Sequence, residues 1–173
     1  MKRFGYLLGT AVALTVAIGN MAVVLAHADG AAAPVFDVKL PAGYRDWQLI
    51  SVAHEEGNLN DLRAVLGNDI AVKAYREGKL PFPDGAIIAR LAWKYVPSAE
   101  NNKVFGHDQS FVAGEATNVQ FMVKDAKKYA ATGGWGFAQF NNGTSVDAAA
   151  LGGCFGCHVP VKARDYLFTQ YAP

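Results

Sequence analysis

The sequence predicts an α+β fold that is mainly antiparallel β, with one sheet and a few short helices. Three segments carry the sheet prediction because they are short, rich in β-branched and aromatic residues, and separated by Gly, Asn, Asp and Pro. They span residues 82–97, 109–125 and 133–143. The chain has 173 residues, of which 51% are hydrophobic, and this is enough for one domain with a substantial core.

Helical patterns are confined to a few short stretches. One has apolar residues on a single side, Asn68 or Asp69 as the N-cap and Gly78 as the stop signal. A second short helix is expected over residues 124–131. A third is expected within residues 162–171, close to the C-terminus.

Residues 1–28 are predicted to be a secretion signal. Lys2 and Arg3 precede a long apolar run, and Ala26-His27-Ala28 matches the small-x-small pattern that signal peptidase cleaves. The alternative is an uncleaved membrane anchor, because the apolar run is long for a signal. In either case the rest of the chain is exported, and we expect it in the periplasm.

The exported chain is predicted to consist of a flexible segment, residues 29–39, and one domain, residues 40–173. Removing the signal takes away two of the 16 basic residues and none of the 15 acidic ones, so the formal net charge changes from +1 to −1. This balance gives no electrostatic reason to expect nucleic acid or an anionic membrane as a partner.

Both cysteines of the chain lie in the segment CFGCH, residues 154–158. A Cys-x-x-Cys-His run is the attachment signature of c-type haem: each thiol adds across a vinyl group, and the histidine turns its imidazole to the iron. The sequence therefore predicts one covalent haem c, held by Cys154 and Cys157, with His158 as the proximal iron ligand. The required turn is expected to depend on three glycines, Gly152, Gly153 and Gly156.

Other chemistries of paired cysteines fit this sequence less well. A structural zinc site needs four ligands, but outside the motif the exported chain offers only His54, His107 and carboxylates. A thioredoxin-like dithiol belongs on the first helix of a βαβ unit near the start of a domain, whereas this motif is near the C-terminus. A disulfide between cysteines so close together would be strained.

The sixth coordination position of the iron has few candidate ligands. After export the sole methionine is Met122, and the free imidazoles are His54 and His107, for both of which a surface position is expected. An open or loosely held sixth position is therefore predicted. Met122 lies two residues after Gln120, on the same face of its strand, where it either ligates the iron or fills the core.

The order and spacing of several segments resemble those of the cytochrome P-460 family, which includes the cytochromes c′-beta. The resemblance covers the chain from about Leu40 to Pro173. It implies one c-type haem against a strongly curved antiparallel sheet, a proximal histidine, usually no strong distal protein ligand, and commonly a homodimer. The matching segments are PAGYRDW at 41–47, FPDG at 82–85, VKD at 123–125, WGF at 135–137, the cysteine motif, and FT at 168–169.

The resemblance also shows where this sequence departs from the family. Its best-known members oxidise hydroxylamine and carry a lysine cross-linked to a haem meso carbon, whereas the c′-beta members lack the cross-link and bind nitric oxide or carbon monoxide. Counted from the FPDG segment, the lysine position is Arg90 here, and a guanidinium is a poor nucleophile. The family's proton-relaying carboxylate aligns with Gln120, which cannot act as a general base. A distal arginine of the family corresponds to Arg63.

These observations favour an exported cytochrome without a lysine cross-link, which binds a small nitrogenous or diatomic ligand such as nitric oxide, or passes electrons to a periplasmic redox partner. Arg63, Arg90 and Gln120 are the candidate distal-pocket residues; the competing interpretation makes them polar residues on a solvated sheet face. One alternative function is an oxidoreductase that converts hydroxylamine or nitric oxide. Another is a low-spin electron carrier with Met122 as distal ligand.

Overall fold

A computed structural model describes residues 38–172. The predicted secretion signal at residues 1–28, and residues 29–37 of the predicted flexible segment, lie outside the described residues. Among residues 38–172 there is no helix that is both long and apolar enough to cross a membrane.

The domain is built on one six-stranded antiparallel sheet, in which strands that follow each other in sequence also pair in space. The predicted mainly antiparallel α+β class is confirmed. All three segments predicted as strands lie in this sheet, because their β-branched and aromatic residues pack well on a pleated surface. The strands are β1 (Gln48–Glu55), β2 (Asp61–Gly67), β3 (Ile87–Pro97), β4 (Phe111–Lys124), β5 (Trp135–Asn141) and β6 (Thr144–Ser145).

Short helices connect the strands or follow them. The helix predicted after Asn68 is confirmed: the Asn68 side chain accepts a hydrogen bond from the backbone N–H of Ala71 at 3.0 Å, and Gly78 ends the helix at a φ of 61°. The α-helices of the described residues are α1 (Asp69–Glu77), α2 (Ala99–Phe105), α3 (Ala148–Leu151) and α4 (Cys154–His158), with 3-10 turns at Tyr44–Asp46, Ala130–Thr132 and Val159–Arg164.

The helix predicted over residues 124–131 is wrong. Lys124 is the last residue of β4, where its backbone pairs with Trp135, and residues 126–129 form a turn that leads into a single 3-10 turn. Asp125 stabilises the turn because its carboxylate accepts from the backbone N–H of Lys128 at 2.8 Å. The sheet thus includes only Lys124, the first residue of this segment, and the remainder is a turn rather than a helix.

The helix predicted within residues 162–171 is also wrong in type and position. The chain continues from the cysteine motif into a 3-10 turn that starts at Val159, and Pro160, its second residue, is tolerated near the start of a helical turn because its missing N–H has no acceptor there. This turn ends at Arg164 because Asp165 has a left-handed backbone conformation, with a φ of 52°. The residues after it have no regular structure.

The sheet has two faces, and each carries its own apolar cluster. We define the front face by Ile88, Met122 and Phe137, which are direct cross-strand neighbours on β3, β4 and β5. Helix α1 and the C-terminal segment pack on this face. The back face carries a second cluster that includes Phe121 and Phe140. Any group attached to the C-terminal motif is therefore positioned against the front face.

Candidate functional site

The cysteine motif is one turn of helix on the front face. Cys154 is partly buried against the front-face apolar cluster, Cys157 is exposed, and both are free thiols. Burial raises the pKa of Cys154, and the neighbouring Cys157 acts in the same direction. Because residues three and four apart lie on the same side of a helix, Cys154, Cys157 and His158 face the same way.

The glycines of the motif are not used as predicted. Gly152 and Gly153 have φ values of −56° and −82°, which any residue adopts, so the turn does not depend on glycine flexibility. A Cβ added at Gly153 or Gly156 would meet no atom within 4 Å. Gly153 and Gly156 instead leave open space along the motif.

His158 is held by a hydrogen bond and two aromatic contacts. Its Nδ1 lies 2.6 Å from the backbone carbonyl of Tyr166, and since a carbonyl only accepts, Nδ1 carries the proton and Nε2 the lone pair. The rings of Phe137 and Phe168 meet the imidazole edge-on, each with a centroid separation of 5.1 Å. Burial lowers the pKa of His158, although the carbonyl acts in the opposite direction. Burial thus favours the neutral imidazole that metal ligation needs.

Polar side chains gather at one end of the front face. Arg90 on β3 is directly opposite Gln120 on β4, and Arg63 on β2 lies one row further, opposite Ala92. The three residues predicted for a distal pocket are therefore brought together on the face that carries the motif. We define the polar end of the front face as Asp61, Arg63, Arg90, Asn118, Gln120 and Gln139.

Sequence reasoning missed half of the polar end. Asp61 and Asn118 each lie two residues from a predicted member of their strand, so alternation alone could have placed them on the same face. Gln139 is on a different strand from any predicted member, and only the register between β4 and β5 places it opposite Gln120. That register is not visible in the sequence.

Arg63 is paired with two carboxylates. Its Nε is 2.7 Å from Oδ1 of Asp61, and its Nη1 is 3.0 Å from Oε1 of Glu55. The Arg63 side chain is 13% exposed and that of Asp61 only 5%, so water screens this pair less than it screens an ion pair on the surface. The charge of Arg63 is thereby compensated within the protein.

Arg90 is less completely bonded. One of its terminal nitrogens donates to Oδ1 of Asn118 at 2.5 Å, the other is 3.9 Å from the carboxylate of Asp61, and its buried Nε has no partner among the described residues. Burial lowers the pKa of Arg90 to about 10, and the charge of Arg63 acts in the same direction, whereas nearby acidic groups and Cys154 oppose them. The guanidinium therefore stays protonated at neutral pH, within electrostatic reach of the motif.

Gln120 belongs to a chain of neutral amides. Its Nε2 donates to Oε1 of Gln139 at 2.6 Å, and Nε2 of Gln139 donates to Oδ1 of Asn141 at 3.0 Å. Neutral amides donate and accept hydrogen bonds, but they do not take up a proton near neutral pH. This row of the polar end can therefore orient a ligand without acting as a base.

None of the three predicted candidates for a sixth iron ligand belongs to the polar end of the front face. Met122 is 9% exposed and belongs to the front-face apolar cluster, as the core-filling interpretation predicts. His54 is exposed, is on the back face and stacks on Tyr95 with a centroid separation of 3.9 Å. His107 lies in an exposed bend after α2. The surface positions expected for both histidines are confirmed.

Comparison with known proteins agrees with the site that these residues form. The profile of the Cytochrome P460 family matches residues 41–169, a range that includes the front face, the polar end and the cysteine motif. The chain belongs to the cytochrome P460 family. Membership makes it a c-type haem protein, as the motif predicts. A comparison with curated proteins found no match.

The residues present fit the haem c that the cytochrome P460 family implies. Two free thiols lie on one helical turn, open space adjoins them, and a neutral imidazole has its Nε2 lone pair available. The alternative of a zinc site has no ligand set: within residues 38–172, no three His, Cys, Asp or Glu side chains converge on a common point. Thioether attachment and histidine ligation match this donor set.

Proposed function

We propose that one haem c is attached through Cys154 and Cys157 and that Nε2 of His158 ligates the iron. The cytochrome binds a small uncharged ligand such as nitric oxide beside the polar end, or it exchanges electrons with a periplasmic partner. The observation that carries the proposal is Arg90, a protonated guanidinium with an unpartnered N–H where the family's enzymes have a nucleophilic lysine. When bound, the haem supplies an iron that can take a diatomic ligand.

The residues around the lysine position disfavour a cross-link. Covalent attachment to a haem carbon needs an amine lone pair, and the Arg90 guanidinium has none at neutral pH. Lys94 is on the same face of β3, but four residues along a strand correspond to about 13 Å. Its Nζ is also engaged, 2.5 Å from the carboxylate of Glu115. A porphyrin without this bond is therefore expected.

The charges of the polar end favour an uncharged ligand. The positive charges of Arg63 and Arg90 are opposed by the carboxylates of Asp61 and Glu55, which all lie close together. An anion such as nitrite would meet no excess of positive charge there. A neutral ligand needs only a hydrogen-bond donor, which the Nε–H of Arg90 supplies. Such a donor stabilises partial negative charge on a bound diatomic.

Hydroxylamine oxidation is the less favoured function. A substrate that loses several protons needs a general base, and the position that carries the family's carboxylate is Gln120, which belongs to the amide chain. Arg90 cannot replace the carboxylate, since it already holds its proton at neutral pH. Ligand binding requires neither a base nor a cross-link and is consistent with both substitutions.

The proposal is tested by the mass of the haem peptides. We expect a tryptic digest of the mature protein, produced with a c-type haem maturation system, to contain haem only on the peptide with Cys154 and Cys157. The variant Arg90→Lys restores an amine at the family's lysine position, and Arg90→Gln is its matched control without an amine. Haem joined to a peptide from β3 in the unaltered protein would contradict the proposal.

Export and assembly are further parts of the proposal. The leader predicted at residues 1–28 supports secretion to the periplasm, and the family resemblance supports a homodimer. N-terminal sequencing of the secreted protein is expected to begin at Asp29. Light scattering of the holoprotein would distinguish a dimer from a monomer.

A further inference from the structure

A buried ion pair joins the sheet to the segment that follows the cysteine motif. Nζ of Lys124 lies 2.8 and 2.9 Å from the two carboxylate oxygens of Asp165, and the side chains are only 4% and 7% exposed. Taking two charges out of water is costly, and a buried ion pair is often no more stabilising than apolar residues of the same volume. Its presence therefore calls for a role other than stability.

Both partners of the pair are held by additional contacts. Lys124 donates to the carbonyl of Gly133 at 3.2 Å, and its ammonium lies 4.9 Å from the ring centroid of Trp135. Asp165 also accepts from the backbone N–H of Phe82 at 2.8 Å. Because Lys124 is the last residue of β4, these bonds fix Asp165 to the end of a central strand.

Asp165 begins the turn that reaches back to His158. Asp165 and Tyr166 are consecutive residues with left-handed φ values of 52° and 65°, which are unfavourable for residues that have a Cβ. In this conformation the carbonyl of Tyr166 accepts the Nδ1–H of His158 at 2.6 Å. The Tyr166 ring packs directly over Gly133, where an added Cβ would overlap it. A turn of this kind persists only when neighbouring groups restrain it.

We infer that Lys124 and Asp165 are positioning residues: by fixing the carbonyl of Tyr166 they set the orientation and donor strength of His158. The inference rests on the proposed role of His158 as the iron ligand. A hydrogen bond from the outer nitrogen of a ligating imidazole fixes its tautomer and makes it a stronger donor, which tunes metal affinity and reduction potential. Without the ion pair the strained turn relaxes, and this hydrogen bond lengthens.

The test measures the iron–histidine stretching band of the ferrous holoprotein by resonance Raman spectroscopy, together with the midpoint reduction potential. In Asp165→Asn and in Lys124→Met, we expect the band to move to lower frequency and the potential to rise, because a weaker donor stabilises the ferric state less. The matched control is Lys94→Met, which removes a lysine from the exposed pair with Glu115. It should leave the band and the potential unchanged.

The double variant Lys124→Met/Asp165→Leu separates positioning from stability. Each single variant leaves one charge buried without its partner, so a loss of stability alone would not be informative. The double variant removes both charges, and we expect its urea midpoint to return toward that of the unaltered protein. The stretching band should nevertheless stay shifted, since the Tyr166 carbonyl is no longer restrained.

Three outcomes decide the inference. A shifted band in a stably folded double variant supports it. A band at the unaltered frequency in the double variant would reduce the ion pair to a structural role and overturn the inference, while leaving the proposed function intact. If the unaltered ferrous protein has no iron–histidine band, the proposed role of His158 in an open, five-coordinate site fails, and this inference fails with it.

Discussion

Two regions of the front face handle buried charge in different ways. Around His158, the charges of Lys124 and Asp165 are paired with each other and held by further hydrogen bonds, so the imidazole is fixed in one orientation. At the polar end, Arg63 is fully engaged, but Arg90 keeps a buried N–H without a partner among the described residues. The first arrangement suits a permanent ligand to iron, and the second suits a ligand that comes and goes.

The largest expected effect is that of removing the two cysteines proposed to attach the haem. In the variant Cys154→Ser/Cys157→Ser, no other cysteine can form a thioether, since the chain has only these two. Acidic acetone should then extract all of the pigment, whereas it should extract none from the unaltered protein. Extraction of pigment from the unaltered protein would mean that the motif does not attach the haem.

The buried ion pair should have the next largest effect, on stability. Asp165→Asn leaves the ammonium of Lys124 buried without its counter-charge, and breaking a buried pair in this way costs about 3–5 kcal/mol of the free energy of unfolding. Urea denaturation of the holoprotein measures this loss. Lys94→Met, which breaks an exposed pair, should show no measurable change. Equal losses in the two variants would remove the contrast between buried and exposed pairs.

A smaller effect is expected at the polar end. Arg90→Met removes the unpartnered donor, and because a hydrogen bond from a charged group contributes about 1.5–3 kcal/mol, nitric oxide should dissociate roughly tenfold faster or more. Stopped-flow measurement of release from the ferrous protein gives the rate. Release at the unaltered rate would show that Arg90 does not contact the ligand, and would leave the solvated-face interpretation in its place.

The smallest expected effect is that of pH on ligand binding. Between about pH 6 and 8.5 the affinity should be constant, because Arg90, whose pKa is lowered only to about 10, stays protonated and the amides of the polar end do not titrate. Gln120→Glu introduces a titratable carboxylate next to Arg90 and should add a step to the profile. A step already present in the unaltered protein would reveal a titrating group at the site that the present account lacks.

Local patterns predicted most of the fold. The three segments predicted as strands became β3, β4 and β5, and α1 begins after Asn68 and ends before Gly78 as expected. The errors lie where tertiary contacts override local preference. Lys124 looked helical, but it ends a strand whose register with Trp135 brings its side chain to Asp165, 41 residues away. No local pattern encodes a contact of that range.

Only part of the site could be predicted from the sequence, for the same reason. A contiguous motif located Cys154, Cys157 and His158, and alternation placed Gln120 and Met122 on one face of β4. The family resemblance pointed to Arg90, and the register between β3 and β4 places it opposite Gln120. The partners that determine what these residues can do lie on other strands. The pairing of Arg63 with Glu55, and the amide chain from Gln120 to Gln139, depend on strand register. Sequence alone therefore identified the candidate residues, but it did not predict their ion-pair and hydrogen-bond partners.

The optical spectrum of the reduced holoprotein, before and after addition of nitric oxide, tests the central claim most directly. The account predicts an ordinary high-spin c-type spectrum that changes when the gas is added, since it proposes a haem without a cross-link and with an open sixth position. A strongly red-shifted Soret band in the reduced protein would indicate a cross-linked macrocycle and contradict the account. A low-spin spectrum that the gas does not alter would contradict it as well, because it would mean that a protein ligand occupies the sixth position.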